Sequence, residues 1–231
     1  MSKLGYCSRS QAAELIRAGR VKLNGVVRRD QETPTHPGKD RIEVDGAPLA
    51  PGAKIYLLLN KPRGVVTTAS DEQGRETVYA YLPKNLPWIA PVGRLDRASE
   101  GLLLLTNDSE WAARITSPQT QLDKTYHVQI GAIADEILLD ALRDGLRTSD
   151  SDLLRVKQAR VLRQGERNSW LEIVLDEGKN RHIRRMLERL NVEVLRLVRV
   201  AIGPLALGQL QKGETRALTA EEKRSLDRTM R

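Results

Sequence analysis

The apolar and polar positions change period several times along the chain, which predicts short helices interleaved with strands. Helical spacing over SRSQAAELIRAG, with Ser8 as the N-cap, predicts the first helix. A short alternating strand then leads into the hairpin turn Asn24-Gly25, and a second short strand follows at RIEVDG. We expect these elements to form a small α+β module over residues 1–48.

Longer apolar stretches begin after Lys54 and predict a second, larger domain over residues 53–231. Its predicted strands lie at IYLLLN, VVTT, near IAPVGRL, at GLLLLT, KTYHVQI, 155–163, 169–175 and EVLRLVRVAIG. Its predicted helices lie at 109–116, ADEILLDALRDG, roughly 180–190 and AEEKRSLDR. Because several strands follow one another through short loops, we expect an α+β fold with a mixed, largely antiparallel sheet and packed helices.

The positive charge of the chain is concentrated in two segments. Lys and Arg total 38 against 30 acidic residues, a formal net charge of +8. Residues 1–29 carry +6 and residues 179–199 carry +5, which leaves the rest of the chain at −3. Two solvated basic helix faces would also give this distribution, but such lopsided clusters favour phosphate binding.

Composition excludes several classes of protein. A single cysteine, Cys7, cannot form an internal disulfide, and there is neither a long apolar run nor a signal-peptide core, so we expect a cytoplasmic protein without a membrane anchor. The three histidines are scattered, and no dinucleotide-binding or Ser-His-Asp pattern occurs. We therefore expect any catalysis to need neither a metal nor a small-molecule cofactor, and nothing in the sequence indicates more than a monomer.

The segment PVGRLDRASEGLLLLTND, residues 91–108, is the first candidate for chemistry. Asp96 lies between Arg94 and Arg97, immediately before a buried strand. The neighbouring cations would keep its carboxylate ionised, as a nucleophile or general base requires. Taken alone, the same tetrapeptide is far more typical of a surface turn with a local ion pair than of a catalytic site.

Two further segments carry candidate binding residues. In DEGKNRHIRRMLERL, residues 176–190, Arg181, Arg184 and Arg185 fall within about one helical turn, so at least two can contact one phosphate near the helix N-terminus. In LDKTYHVQI, Tyr126 lies on an alternating strand, where it either fills the core or stacks on a base.

These segments together resemble the RsuA-type family of rRNA pseudouridine synthases. GRLDRASEGLLLLTND resembles the family's catalytic-aspartate motif, NKPRGVVTT its first motif and KTYHV the strand with its active-site tyrosine. EGKNRHIRRM resembles its third motif, usually written with Gln where this chain has His182. SKLGYCSRSQAAELIRAGRVKLNG resembles the ribosomal S-four-type RNA-binding module, beginning here inside that module's first helix. The resemblance covers nearly the whole chain, with the motifs in the family's order.

The resemblance implies an enzyme that isomerises a specific uridine of ribosomal RNA to pseudouridine on a flipped-out base. It implies that Asp96 is the nucleophile, that Arg184 is its basic partner, holding the carboxylate bidentately, and that Tyr126 packs on the uracil. Whether Asp96 attacks the base or promotes a glycal route at the sugar stays open. The residues around GRLDRASEGLL slightly favour a large-subunit target over a small-subunit one.

The partner implied is ribosomal RNA or a pre-ribosomal particle. The residues expected to contact it are Arg9, Arg20, Lys22, Lys61, Arg63, Arg94, Lys179, Arg181 and Arg185. A non-catalytic rRNA-binding or ribosome-assembly factor, with the N-terminal module as its working part, is the alternative. The trio of Asp96, Tyr126 and Arg184 disfavours it, since a pure binder has no need of them.

Overall fold

A computed structural model describes residues 1–36, 38–50, 52–147 and 153–230. The five helices of this described part are α1 (Arg9–Arg17), α2 (Ser109–Thr116), α3 (Glu136–Asp144), α4 (His182–Arg189) and α5 (Ala220–Thr229). Short 3-10 turns lie at Ser2–Leu4, Val78–Tyr81 and Pro118–Thr120. The strands are β1 (Val21–Leu23), β2 (Val26–Arg28), β3 (Ile42–Val44), β4 (Ala47–Pro48), β5 (Tyr56–Lys61), β6 (Ala90–Pro91), β7 (Glu100–Thr106), β8 (Lys124–Ile130), β9 (Leu146–Arg147), β10 (Leu153–Leu154), β11 (Gln158–Gln164), β12 (Ser169–Leu175), β13 (Val194–Ile202), β14 (Leu205–Ala206) and β15 (Thr215–Ala217).

The N-terminal part consists of α1 and a four-stranded sheet in the order β2-β1-β3-β4. Ser8 caps α1 in a capping box with Gln11, as the sequence predicts. Asn24 and Gly25 both have positive φ, 52° and 83°, which is the geometry of a tight hairpin turn between β1 and β2.

The large sheet runs in the order β11-β12-β8-β13-β7-β5-β15, with β14 paired to β13 and β6 to β7. In the described part, every pairing of these strands is antiparallel except that of β7 with β13. The two strands approach closely at Gly101, whose φ is +100° and where an added Cβ would collide with the carbonyl oxygen of Arg199. Only glycine fits this contact, which joins the two halves of the sheet.

β7 is buried along its whole length, because both faces of the sheet are covered there. Leu102 and Leu104 face a cluster that includes α2 and α5, whereas Leu103 and Leu105 face the segment 78–95. The other half of the sheet packs against α3 and α4 through a third cluster. The expected α+β class, with a mixed sheet and packed helices, is confirmed.

The prediction of a strand at VVTT, residues 65–68, is wrong. Val66 forms only an isolated bridge to Thr77, and the Thr67 hydroxyl instead donates to the carbonyl of Leu95. The short strands β4, β9, β10, β14 and β15 have too few residues to give a hydrophobic period. The expected domain over 53–231 includes residues 148–152 and 231, which lie outside the described residues.

Over the described residues, no helix has the length and apolar character needed to span a bilayer.

Candidate active site

Residues 95–99, called here the aspartate loop, connect the 78–95 segment to β7. The segment after β5 fixes the first part of this loop. Thr67 Oγ1 donates to the carbonyl of Leu95 at 2.8 Å. The backbone N–H of Gly64 donates to the carbonyl of Arg97 at 2.7 Å, and Arg97 Nε donates back to the carbonyl of Gly64 at 3.2 Å. The NKPRGVVTT motif therefore supports the loop that carries the aspartate.

Three more hydrogen bonds complete the support of the aspartate loop. The N–H of Ser99 donates to the carbonyl of Asp96 at 2.9 Å. Arg184 Nη2 donates to the carbonyl of Ala98 at 3.0 Å, and Lys61 Nζ donates to that of Ser99 at 2.9 Å. Each of the five carbonyl groups of the loop thus accepts a hydrogen bond, which fixes the backbone on both sides of the Asp96 carboxylate.

The expectation that Lys61 contacts RNA is wrong for this structure, because its side chain is 0% exposed. Its ammonium group donates inward to the carbonyls of Pro62 and Ser99, both at 2.9 Å. Burial lowers the pKa of Lys61 to about 8, although the carboxylates of Glu100 and Asp96 act in the opposite direction. Lys61 therefore supports the aspartate loop from the protein interior.

A cavity of about 560 Å³ opens beside the aspartate loop, between α4, the end of α2 and strands β8 and β13. Its volume lies within the range of small-ligand sites. The predicted site residues that line it are Arg94, Asp96, Tyr126, Lys179, Arg181 and Arg184. The fold therefore brings the expected aspartate, tyrosine and arginine from three distant segments to one cavity.

Tyr126 is partly buried on β8, where it packs against two of the three hydrophobic clusters. Its cross-strand neighbours are Ile173 on β12 and Arg199 on β13. Because residues in register on adjacent strands point to the same face of a sheet, the ring shares the cavity face with Arg199. Tyr126 is thus packed against the core while it still lines the cavity.

Arg184 does not make the expected bidentate pair with Asp96. Its Nη2 donates to the carbonyl of Ala98, and the ion pairs found among the described residues do not include one between Arg184 and Asp96. Burial lowers the pKa of the Arg184 guanidinium, repulsion from Arg181 and Arg63 adds to this, and the charge of Asp96 opposes it. Arg184 therefore lies within electrostatic reach of the carboxylate while it fixes the aspartate loop.

The other predicted RNA contacts lie outside this cavity. Arg9 and Lys22 are exposed on the N-terminal part, and Arg20 is exposed but forms a bidentate pair with Asp45 at 2.6 and 2.8 Å. Arg63 is exposed and donates to the carbonyl of Leu195, and Arg185 is partly buried on α4. Arg20 thus has its charge compensated within the protein.

Several residues of the cavity were not predicted individually. They are Ser99, Lys124, Asp176, Glu177, His182, Leu197 and Arg199. Lys124 lies two positions before Tyr126 on the same strand, so the alternation of the strand indicates that both side chains lie on one face. Within the described part of the chain, no three His, Cys, Asp or Glu side chains converge as metal ligands.

Comparison with known proteins agrees with this arrangement. A family model described as RNA pseudouridylate synthase matches residues 55–189, and one described as S4 domain matches residues 1–42. Ribosomal large subunit pseudouridine synthase B of Bacillus subtilis (strain 168) is 38% identical over 224 residues, 96% of this chain and 91% of that protein. An uncharacterized RNA pseudouridine synthase of Aquifex aeolicus (strain VF5) is also 38% identical, over 96% of this chain and 89% of that protein.

The fold has a matching solved structure as well. A crystal structure of a pseudouridylate synthase aligns with a TM-score of 0.69 and 31% identity, covering 95% of this chain and 94% of that one. Together with the family-model match, which spans the aspartate loop, Tyr126 and Arg184, this similarity is sufficient to assign the family. The chain belongs to the RNA pseudouridine synthase family and is an RNA pseudouridine synthase with an S4 domain at its N-terminus.

Proposed function

We propose that the protein isomerises a uridine of ribosomal RNA to pseudouridine, with Asp96 as the nucleophile. The observation that carries this proposal is the position of Asp96 on a loop whose five carbonyls are all hydrogen-bonded, beside a cavity shared with Tyr126 and Arg184. A nucleophile held in one position needs little reorganisation before it attacks. The large-subunit name of the Bacillus subtilis relative supports ribosomal RNA, and a large-subunit uridine, as the substrate.

The chemistry assigns a separate task to each side chain. The glycosidic C1′–N1 bond breaks, the uracil rotates, and a C1′–C5 bond forms. The proton lost from C5 is balanced by a proton gained at N1, so substrate and product are isomers and no oxidant, reductant or energy source is consumed. Asp96 supplies the carboxylate that attacks the base or the sugar. Arg184 keeps positive charge near this carboxylate and fixes its loop. Tyr126 packs on the extruded uracil, whose removal from the stack costs a few kcal/mol.

Residues 1–48 act in this proposal as the RNA-binding module and residues 53–231 as the catalytic domain. Arg9 and Lys22, which are exposed, would contact the RNA backbone at a distance from the reacting base. The protein would act as a monomer in the cytoplasm, where its ribosomal substrate is made.

The change Asp96→Asn tests the nucleophile. We expect it to abolish pseudouridine formation while the affinity for RNA stays within about twofold, because the amide keeps the shape of the side chain but is not nucleophilic. The measurement is pseudouridine content of rRNA after incubation with pure enzyme, with RNA binding followed in parallel. Normal turnover by this variant would show that another group is the nucleophile.

Asp135→Asn provides the matched control. Asp135 caps α3 outside the cavity, and asparagine caps helices equally well, so this variant should keep full activity. Mapping of pseudouridines in rRNA from a strain that lacks the protein identifies the target uridine. If every rRNA pseudouridine persisted in that strain, the ribosomal substrate would be excluded.

A further inference from the structure

Arg199 is a buried cation that the proposed reaction does not use. It lies on β13 and is only 6% exposed. Its Nε donates to the carbonyl of Leu102 at 2.8 Å, and its Nη2 is buried without a hydrogen-bond partner in the described part of the chain. Among the same residues, no carboxylate forms an ion pair with it. A buried guanidinium with an unpaired N–H is costly, so its place beside the cavity points to an anionic ligand.

Lys124 provides a second cation on the same side of the cavity. It lies two residues before Tyr126 on β8, and Arg199 is the cross-strand neighbour of Tyr126, so all three side chains share one face of the sheet. Burial lowers the pKa of Lys124 and the charge of Arg199 lowers it further, against the opposing effects of Asp123 and Asp176. Asp123 is itself paired with Lys157 at 2.8 Å, so it does not neutralise Lys124 fully.

The charge of the whole cavity indicates which anion fits. Its lining contains six cationic side chains, counting Lys and Arg, against the three carboxylates Asp96, Asp176 and Glu177. A uracil base is neutral and would leave this excess uncompensated. A phosphodiester carries one negative charge and accepts charge-assisted hydrogen bonds from both ammonium and guanidinium groups.

We propose that Lys124 and Arg199 together bind one backbone phosphate adjoining the target uridine, beside the ring of Tyr126. The site would thereby hold the nucleotide by its phosphate on one side of the tyrosine while Asp96 acts from the aspartate loop. This inference rests on the proposed function and names a contact that the reaction itself does not require.

The test uses synthetic RNA hairpins that contain the uridine identified by the mapping experiment. One hairpin has normal phosphates, and two others carry a neutral methylphosphonate immediately 5′ or 3′ of that uridine. The methylphosphonate removes the charge that the ammonium and guanidinium groups would bond, so we expect one of the two methylphosphonates to lower wild-type kcat/KM at least about tenfold. In Lys124→Met, the same methylphosphonate should lower kcat/KM clearly less than in the wild type, because one of the two partners of the phosphate is already missing and only the Arg199 contact remains to be lost.

Three further variants complete the experiment. Lys84→Met removes an exposed lysine outside the cavity, and in this variant the methylphosphonate should lower kcat/KM as much as in the wild type. Lys124→Arg keeps the positive charge, so the methylphosphonate should again lower kcat/KM as much as in the wild type. Lys124→Gln replaces Lys124→Met if the methionine variant does not fold. Arg199→Lys should reduce the loss of kcat/KM that the methylphosphonate causes, because an ammonium group cannot bond both the carbonyl of Leu102 and the phosphate as the guanidinium group does.

Two outcomes would overturn the inference. In one, neither methylphosphonate slows the wild-type enzyme. In the other, the losses from the methylphosphonate and from Lys124→Met multiply, which means that lysine and phosphate act independently. Both require an active wild-type enzyme, so they are distinguishable from failure of the proposed function, in which wild-type protein forms no pseudouridine in rRNA.

Discussion

His182 shows how a single buried side chain can make stability depend on pH. It begins α4, lines the cavity and lies 3.7 Å from Glu177. Burial lowers the pKa of His182 below its usual 6.5, and the opposing charge of Glu177 does not offset this. The folded state therefore prefers the neutral imidazole, whereas the unfolded chain takes up a proton once the pH falls below 6.5.

We expect the variant His182→Gln to flatten the pH dependence of unfolding. In the wild type, the stability contributed by neutral His182 is present above pH 6.5 and is lost as the pH falls below it. Glutamine does not titrate, and its side chain can donate a hydrogen bond as histidine does. Melting temperatures between pH 7.5 and 5 should therefore decline less steeply for the variant.

Ile183→Val is the control, because it removes one buried methyl group and leaves every titratable group in place. It should lower stability by about 0.5–1.5 kcal/mol at every pH, and its melting temperature should decline with falling pH as steeply as that of the wild type. Parallel slopes for His182→Gln and the wild type would show that His182 does not couple folding to protons.

At the scale of elements, the first motif and the aspartate loop form one unit. The end of β5 contributes Lys61, the segment after it contributes Gly64 and Thr67, and each of the three donates to a carbonyl of the loop. The loop and its support thus come from segments about thirty residues apart. The accuracy of the Asp96 position depends on these contacts as much as on the residues in the cavity.

The change Thr67→Val tests this dependence. Valine has the shape of threonine but cannot donate to Leu95, so we expect a loss of about 1 kcal/mol in stability. A freed loop should lower kcat roughly tenfold while the Kd for RNA hardly changes, since small misplacements of a reacting group are costly. Steady-state kinetics and RNA binding measure the two effects.

Thr67→Ser keeps the hydroxyl and should retain most of the activity. If the serine and valine variants lost kcat equally, the methyl group and not the hydrogen bond would be responsible. Such a result would remove Thr67 from the support of the aspartate loop.

Elements with a clear period were predictable from the sequence, and the direction of charged side chains was not. The apolar run of β7, the alternation of β8 and the capped helices α1 and α2 all appear where the sequence indicates. The sequence motif does not show whether the Lys61 side chain faces RNA or the core, and the structure shows that it is buried. Arg199 likewise resembles an exposed arginine on an alternating strand, but its side chain is buried and donates to the carbonyl of Leu102.

At the scale of the whole molecule, the two basic segments lie in different parts of the fold. The first, residues 1–29, covers α1, β1 and β2, and the second, residues 179–199, lines part of the cavity from α4 and β13. Internal ion pairs already compensate some of this charge, as for Arg20 with Asp45 and Arg196 with Glu100. The exposed cations Arg9 and Lys22 are therefore the better candidates for phosphate contacts.

The double variant Arg9→Gln/Lys22→Gln tests the part played by the N-terminal module. Each phosphate contact to duplex RNA contributes roughly 0.9 to the slope of log K against log salt by analogy with DNA, so the slope should become shallower by about 1–2. Binding titrations at several salt concentrations measure it.

The control removes two exposed cations elsewhere, Lys84 and Arg224, in the variant Lys84→Gln/Arg224→Gln. It should leave the salt slope close to that of the wild type. Equal changes in the two double variants would mean that overall charge, and not the module, determines affinity.

The fully bonded aspartate loop also affects how the free energy of RNA binding is used. The conformational entropy of ordering residues 95–99 is lost when the chain folds, because its five carbonyls are bonded before any RNA arrives. An enzyme with a mobile loop would lose that entropy at each encounter with substrate. Here the favourable contacts to RNA remain available to offset the unstacking of the uridine, so base extrusion and loop ordering do not compete within one catalytic cycle.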